Sequence, residues 1–349
     1  MAVAVEIPSN LYKFSLGKQS AWGTPVANPD YQIPVYEADI GPTEERQELA
    51  LIEGQAFLPG KYKSKAWFEG DVTWAAHPDS NSRLFAAHFG TSSDTMTGAG
   101  DPRTHTFARK DTPLPHTMWV GRPVAGGTFE YDKGIDCVAT QLVFQYTASE
   151  LFKISTHIIG ASTLGVATAP TPATTLFIPT SGNFGHTWAR AVLKLDLAAT
   201  PATTTITNLK SFTITSSYDS ATFEATQNLN PEFYNQGLWS LSFEAEFIFA
   251  NWQAYNNTFY GSASPSANAP QSSTAPSGAL IFQIDQEPTA IATRALTITI
   301  PYIQYELGRP TPNADGSGIT ATMSGTLSQP PSGEPITVVQ LTSIATAYS

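Results

Sequence analysis

Residues 240–249 read SLSFEAEFIF. On an extended chain Glu244 and Glu246 point one way with Ser240 and Ser242, while Leu241, Phe243, Ala245, Phe247 and Phe249 point the other. Two carboxylates at i, i+2 on one strand face stand roughly 7 Å apart. That spacing falls within the range of about 5–9.5 Å between the acid and base of a glycosidase. Residues 66–74, AWFEGDVTW, carry the same arrangement, with Glu69 and Asp71 on the wet side and Ala66, Phe68, Gly70, Val72 and Trp74 opposite. The recurrence argues against hydrolysis. Acid–base catalysis needs unlike carboxylates in unlike surroundings, whereas one pair written twice describes a surface.

Other catalytic signatures are missing. No GxSxG elbow, GxxxxGK[ST] phosphate loop, GxGxxG turn or HExxH pair occurs. His77, His88, His105, His116, His157 and His186 never fall at the i, i+3 or i, i+4 spacing of a helical metal site. His105 and His116 flank a Pro-rich loop, a weak metal candidate; all six read as ordinary surface or partly buried histidines. Seven tryptophans suit core and interface, with a sugar-stacking platform as the sharper alternative. The single cysteine, Cys137, sits in the apolar pattern CVATQLVFQY and reads as a small core residue. An enzyme is not expected, nor a cofactor, metal or disulfide.

Short strands must position the carboxylates. The chain is 41% apolar and 13% charged, rich in Thr, Ser, Ala, Gly and Pro, which favours strands broken by turns over long helices. Its 349 residues suffice for two ordinary domains. No apolar run approaches the ~20 residues of a membrane span, and MAVAVEIPSN lacks the basic start and apolar core of a signal peptide. A soluble protein made in a reducing compartment is expected. With 18 Lys and Arg against 29 Asp and Glu, the net charge is -11, too few cations and no basic run to grip phosphates.

Setting Glu69 over Glu244 aligns more than one strand. LFAAHFGT (84–91) falls near YNNTFYGS (255–262), LYKFSLGKQSAWGTP (11–25) resembles VLKLDLAATP (192–201), and FKISTHIIG (152–160) answers ITATMSGTL (319–327). Four matches in one order favour a tandem duplication over two merely β-rich halves. The joint falls near 162–190, where the composition is that of a linker. Each half reads as an opening strand, a second strand (31–40; 208–217), a long excursion, the acidic strand, a short helix and hairpins. The first helix has Pro78, then Asp79 or Ser80 as cap, Leu84, Phe85 and His88 at helical spacing, and Gly90 as stop. NWQAYNNTFYG is a poorer second helix, and 334–348 supplies a last strand.

This order of parts resembles the major tail tube proteins of long, non-contractile (siphovirus-type) phage tails. The likeness is carried by YKFSLGKQSAWGTP, ERQELALIEGQAFLPGKYKSK, WFEGDVTW, NSRLFAAHFGT, QLVFQYTASELFKISTHIIGAS and ALTITIPYIQYEL. It implies an all-β fold with short helices: two tandem β-sandwich or split-barrel tube domains, residues 1–165 and 188–349, joined by a linker at 166–187. Rings of six such domains would stack, their inner sheets merging into a barrel around a DNA channel. A stacking arm would span about 41–65, with Glu44, Glu45, Arg46, Glu48, Lys61, Lys63 and Lys65 in a segment that orders on assembly; 219–239 would be its counterpart. Two domains per chain imply a homotrimer with pseudo-sixfold symmetry; without duplication, a homohexamer. Four strands per domain give a barrel of about 24 strands and roughly 48 Å diameter. Glu69, Asp71, Glu244 and Glu246 are the candidate lumen residues, keeping DNA in transit from sticking; the alternative is that they face outside solvent. Implied partners are further copies of the chain and the tape measure, tail tip and terminator proteins. The location would be the virion tail, assembled in the host cytoplasm, with no membrane. A terminator or baseplate ring, a carbohydrate-binding β module and a glycoside hydrolase are the rival readings.

Overall fold

The computed structural model describes residues 12–48, 61–90, 93–124, 128–166, 170–171, 175–176, 186–196, 205–206, 208–224, 231–248, 256, 260, 264–268, 277–286, 294–310, 319–327, 333–342 and 348. The fold is all-β, with one short helix among these residues. The first half holds β1 (Lys13–Lys18), β2 (Tyr31–Ile33), β3 (Glu37–Glu48), β4 (Lys61–Ala75), α1 (Ser82–Phe89), β5 (Asp94–Thr97), β6 (Arg103–Ala108), β7 (His116–Pro123), β8 (Phe129–Thr147), β9 (Lys153–Gly160) and β10 (Ser162–Val166). β11 (Thr175–Leu176) lies in the expected linker and pairs in parallel with β2. The second half holds β12 (His186–Asp196), β13 (Thr205–Ile206), β14 (Leu209–Glu224), β15 (Pro231–Ile248), β16 (Ser277–Gln286), β17 (Ala295–Leu307), β18 (Thr320–Leu327) and β19 (Thr337–Thr342).

One antiparallel succession, β3–β4–β9–β8–β14–β15–β18–β17, runs through both halves. Its two quartets have the same connectivity. The strands flanking them correspond too: β1 pairs with β2 and β7, and β7 and β10 with the first part of β8. Likewise β12 pairs with β13 and β16, and β16 and β19 with β17. The β5–β6 hairpin belongs to the first half alone among described strands, and β6 pairs across to β19.

Alternation explains the core. In β15 Leu241, Phe243, Ala245 and Phe247 are buried while Ser242 and Glu244 are exposed. Each such large apolar side chain contributes about 1.5–3 kcal/mol on burial. β8 is long enough to pair with β7 and β10 along its first part and with β9 and β14 along its second, turning at Asp136, a non-glycine residue at φ 56°. Gln19 fixes that turn: its Nε2 donates to Asp136 Oδ1 (2.7 Å) and its Oε1 accepts from Asp136 N (2.9 Å).

The helix ends at Gly90 (φ 101°) as expected, but its start differs. The first-turn boundary is Asn81 rather than Asp79 or Ser80, and Asn81 makes no side-chain cap. Its Oδ1 instead accepts from Trp74 Nε1 (3.0 Å) and His77 N (3.1 Å), and its Nδ2 donates to Gln340 (3.2 Å). Asp79 is drawn away by Arg294 and Thr342. All eight α1 residues are buried, so tertiary partners supply what a local cap would. The second expected helix lies largely outside the described residues.

The histidine reading also needs correction. His77, His88, His105 and His116 are fully buried, not surface groups. His88 Nδ1 donates to the Ala139 carbonyl (2.9 Å), which leaves Nε2 to accept from Ser216 (2.9 Å). Burial lowers the His88 pKa to about 4 and that of His116 to about 3. Among the described residues no group of three His, Cys, Asp or Glu could hold a metal ion, and no helix is long and apolar enough to cross a membrane. Cys137 is buried, and burial raises its thiol well above the usual range.

Candidate functional site

The continuous sheet has one apolar face, turned to the core, and one polar face. Residues paired across antiparallel strands share a face. One transverse row therefore reads Ala75, Lys153, Gln145, Thr213, Glu244, Ser324 and Glu306 over seven strands. A second reads Asp71, His157, Gln141, Ser217 and Ser240. Glu69, Asp71, Glu244 and Glu246 consequently lie on the same face of one sheet. Ser, Thr and Gln fill most of the space between them.

The two acidic pairs have different neighbours. His157 stands between Glu69 and Asp71, with Nε2 3.3 Å from Glu69 Oε1 and Nδ1 2.9 Å from Asp71 Oδ1. Trp67 Nε1 donates to the other oxygen of Glu69. In the second quartet Lys210 Nζ lies 2.7 Å from Glu246, and Glu244 lines an open hollow of about 450 Å³ with Glu306, Ser324 and Gly325. Lys153, next in the row, is 3.1 Å from Glu150. Each of these three bases thus has a carboxylate beside it. Glu306 and His157 were missed as members of this face. Their signal was present in the alternation of Gln304 and Glu306 with Ile303, Tyr305 and Leu307, and of His157 with Ile158.

Gly70 separates Glu69 from Asp71 at φ 152°, and a Cβ there would stand 2.0 Å from the Asp39 carbonyl oxygen. Its place in the apolar row reflects backbone approach, not packing. Gly70→Ala should destabilise the chain by about 1–3 kcal/mol, read as a lower urea midpoint. An unchanged midpoint would show that β3 yields without loss.

The expected arm is partly sheet. β3 and β4 stay paired as far as Glu48 opposite Lys61, with Glu44 opposite Ala66 and Glu45 opposite Lys65. Glu44 holds both Lys63 and Arg46, which in that order keep its carboxyl below the usual range, and Lys65 lies 5.1 Å over the Trp67 ring. Glu44, Glu45, Arg46, Lys61 and Lys63 are exposed. Residues 49–60, and 225–230 in the counterpart hairpin β14–β15, lie outside the described residues.

Compared with known families, the chain matches the one described as phage tail tube protein over residues 10–328. The chain belongs to the phage tail tube family. It is accordingly a structural protein of the virion tail. No curated protein sequence matches it. In this tail tube protein Trp74 and Trp119 are core, Trp239 stacks on Phe89 (5.9 Å, 15°), Trp22 lies in the turn after β1 and Trp67 stands on β4.

Proposed function

We propose that this tail tube protein assembles as a homotrimer of two-domain chains, residues 1–165 and 188–349, into rings with pseudo-sixfold symmetry that stack around a DNA channel. The observation that carries this reading is the recurring pairing scheme: β3–β4–β9–β8 and β14–β15–β18–β17 lie side by side in one sheet. Three chains then give about 24 inner strands, wide enough for a duplex. The polar face lines the channel. Glu69, Asp71, Glu244 and Glu246 repel phosphate, so DNA passes without adhering. The β3–β4 and β14–β15 hairpins reach to the next ring, and tape measure, tail tip and terminator proteins bound the tube, which is assembled in the host cytoplasm.

Native mass measurement and negative-stain imaging of the concentrated protein test the assembly. Tubes built from rings of three chains are expected. Rings of six would keep the tube and refute the pseudo-hexamer, a single ring without tubes would favour a terminator or baseplate role, and a sugar-binding monomer would favour a carbohydrate module. For the lumen, the Glu244→Lys and Glu246→Lys double variant should leave tubes intact and lower DNA delivery. Normal infectivity of phage carrying it would sink the lumen assignment.

A further inference from the structure

We infer that neighbouring chains close the ring by setting β3 of one chain beside the residues that follow β17 of the next, in the register already used inside the chain between β14 and β8. The inference rests on the ring reading above and adds residue-level contacts to it.

The internal junction is a template. Across it Gln141 pairs with Ser217, Leu142 with Ser216 and Val143 with Thr215. Each side has a counterpart at an outer edge. On one side Thr213 is opposite Glu244 and Ser217 opposite Ser240; in β3 Gly41 is opposite Glu69 and Glu45 opposite Lys65. Both ladders break in a bulge soon after, between Tyr218 and Ser220 and between Glu45 and Arg46. The β14 positions 215, 216 and 217 therefore correspond to Thr43, Glu44 and Glu45. On the other side Ala139 is opposite Ile158 and Gln141 opposite His157. In β17 Leu307 is opposite Met323, and Gly308 N then donates to the Thr322 carbonyl (2.7 Å). Gly308, Arg309 and Pro310 therefore correspond to Gln141, Leu142 and Val143.

Transferring the internal register to two chains sets Gly308 opposite Glu45, Arg309 opposite Glu44 and Pro310 opposite Thr43 of the next chain. A neutral Leu142–Ser216 pair inside the chain becomes an Arg–Glu pair between chains. The charges match without having entered the alignment. Among the described strands β3 pairs only with β4, so its other edge presents the backbone groups that a further strand takes up. Pro42 and Pro310 each lack a donor, which keeps the ladder short and discourages pairing outside the ring. The partner is thus a second copy of this chain.

Cysteine pairing tests the register. Opposed residues bring their Cβ atoms to about 4.5–5.5 Å, within reach of a short bis-maleimide. In the assembled Glu44→Cys/Arg309→Cys double variant, with buried Cys137 retained, most of the protein should be linked, the ladder ending at three chains. Glu37→Cys/Arg309→Cys should give little product. Three-chain rings without the first link, or with the second, would overturn the register and leave the ring standing. Wild-type rings of six, or none at all, would overturn ring and register together. Should the cysteine variant fail to assemble, a double-mutant cycle decides. Glu44→Gln and Arg309→Gln should each lower ring formation. Because Glu44 also holds Lys63 and Arg46 within its own chain, the test is the coupling: the combined loss should be smaller than the sum of the two, and strictly additive losses would overturn the pairing.

Discussion

Replacing Arg294 by alanine is expected to destabilise the chain by about 3–5 kcal/mol, the loss typical when one partner of a buried ion pair is removed. Arg294 stands just before β17 and is almost fully buried. Its Nη1 donates to Asp79 (3.0 Å), next to α1, and its Nη2 to Asp101 (3.0 Å), beside the β5–β6 hairpin. Thr342, at the end of β19, donates to the second oxygen of Asp79 (2.6 Å). One carboxylate therefore ties together three segments distant in the chain. Without the guanidinium, Asp79 keeps its desolvation penalty and loses its counter-charge. Asp101 matters less, because its side chain is about half exposed. Urea unfolding followed by tryptophan fluorescence reads the change. The Asp79→Asn/Arg294→Met double variant should recover part of it, since no charge is then stranded. Equal stability of wild type and Arg294→Ala would show that the network is dispensable.

Acidification is the second large effect. His88 is neutral in the folded chain, with its pKa lowered to about 4 by burial, against about 6.5 when unfolded. Between those values the unfolded state binds more protons, so stability rises with pH across the window. It is complete above about pH 6.5 and falls progressively towards pH 4. The full excursion amounts to about 3 kcal/mol for His88, and His116 extends the loss to lower pH. Protonation would also charge Nε2, which accepts from Ser216, in a cage of Phe89, Tyr218 and Trp239. A His88→Phe variant should start less stable yet lose less between pH 6.5 and 4. Parallel pH profiles for variant and wild type would refute the assignment. Because His88 lies on α1 and Ser216 on β14, this loss loosens the contact between the halves.

Much of the fold was legible because alternation survives translation into space. Period-two patterns in SLSFEAEFIF and AWFEGDVTW gave the strand faces, and the acidic pairs do share one face. The FKISTHIIG and ITATMSGTL segments are β9 and β18, which hold the same place in their quartets. Their alignment was off by two residues. With Glu69 matched to Glu244, Ile159 corresponds to Ser324, a slip that preserves the face and leaves no trace in the pattern. The helix stop was readable at Gly90, whereas its start was not, because Asn81 and Asp79 are committed to Gln340 and Arg294 more than two hundred residues away.

By itself the sequence determined the all-β class, the apolar and polar rows of the two acidic strands, the buried place of Cys137 and the resemblance to tail tubes. These follow from side-chain type and local period. Only the tertiary structure decided which strands adjoin, that β8 and β14 make the two quartets one sheet, that His157 sits between Glu69 and Asp71, and that four histidines are buried. Strand pairing and burial depend on contacts between residues far apart in the chain, and no local period encodes those partners.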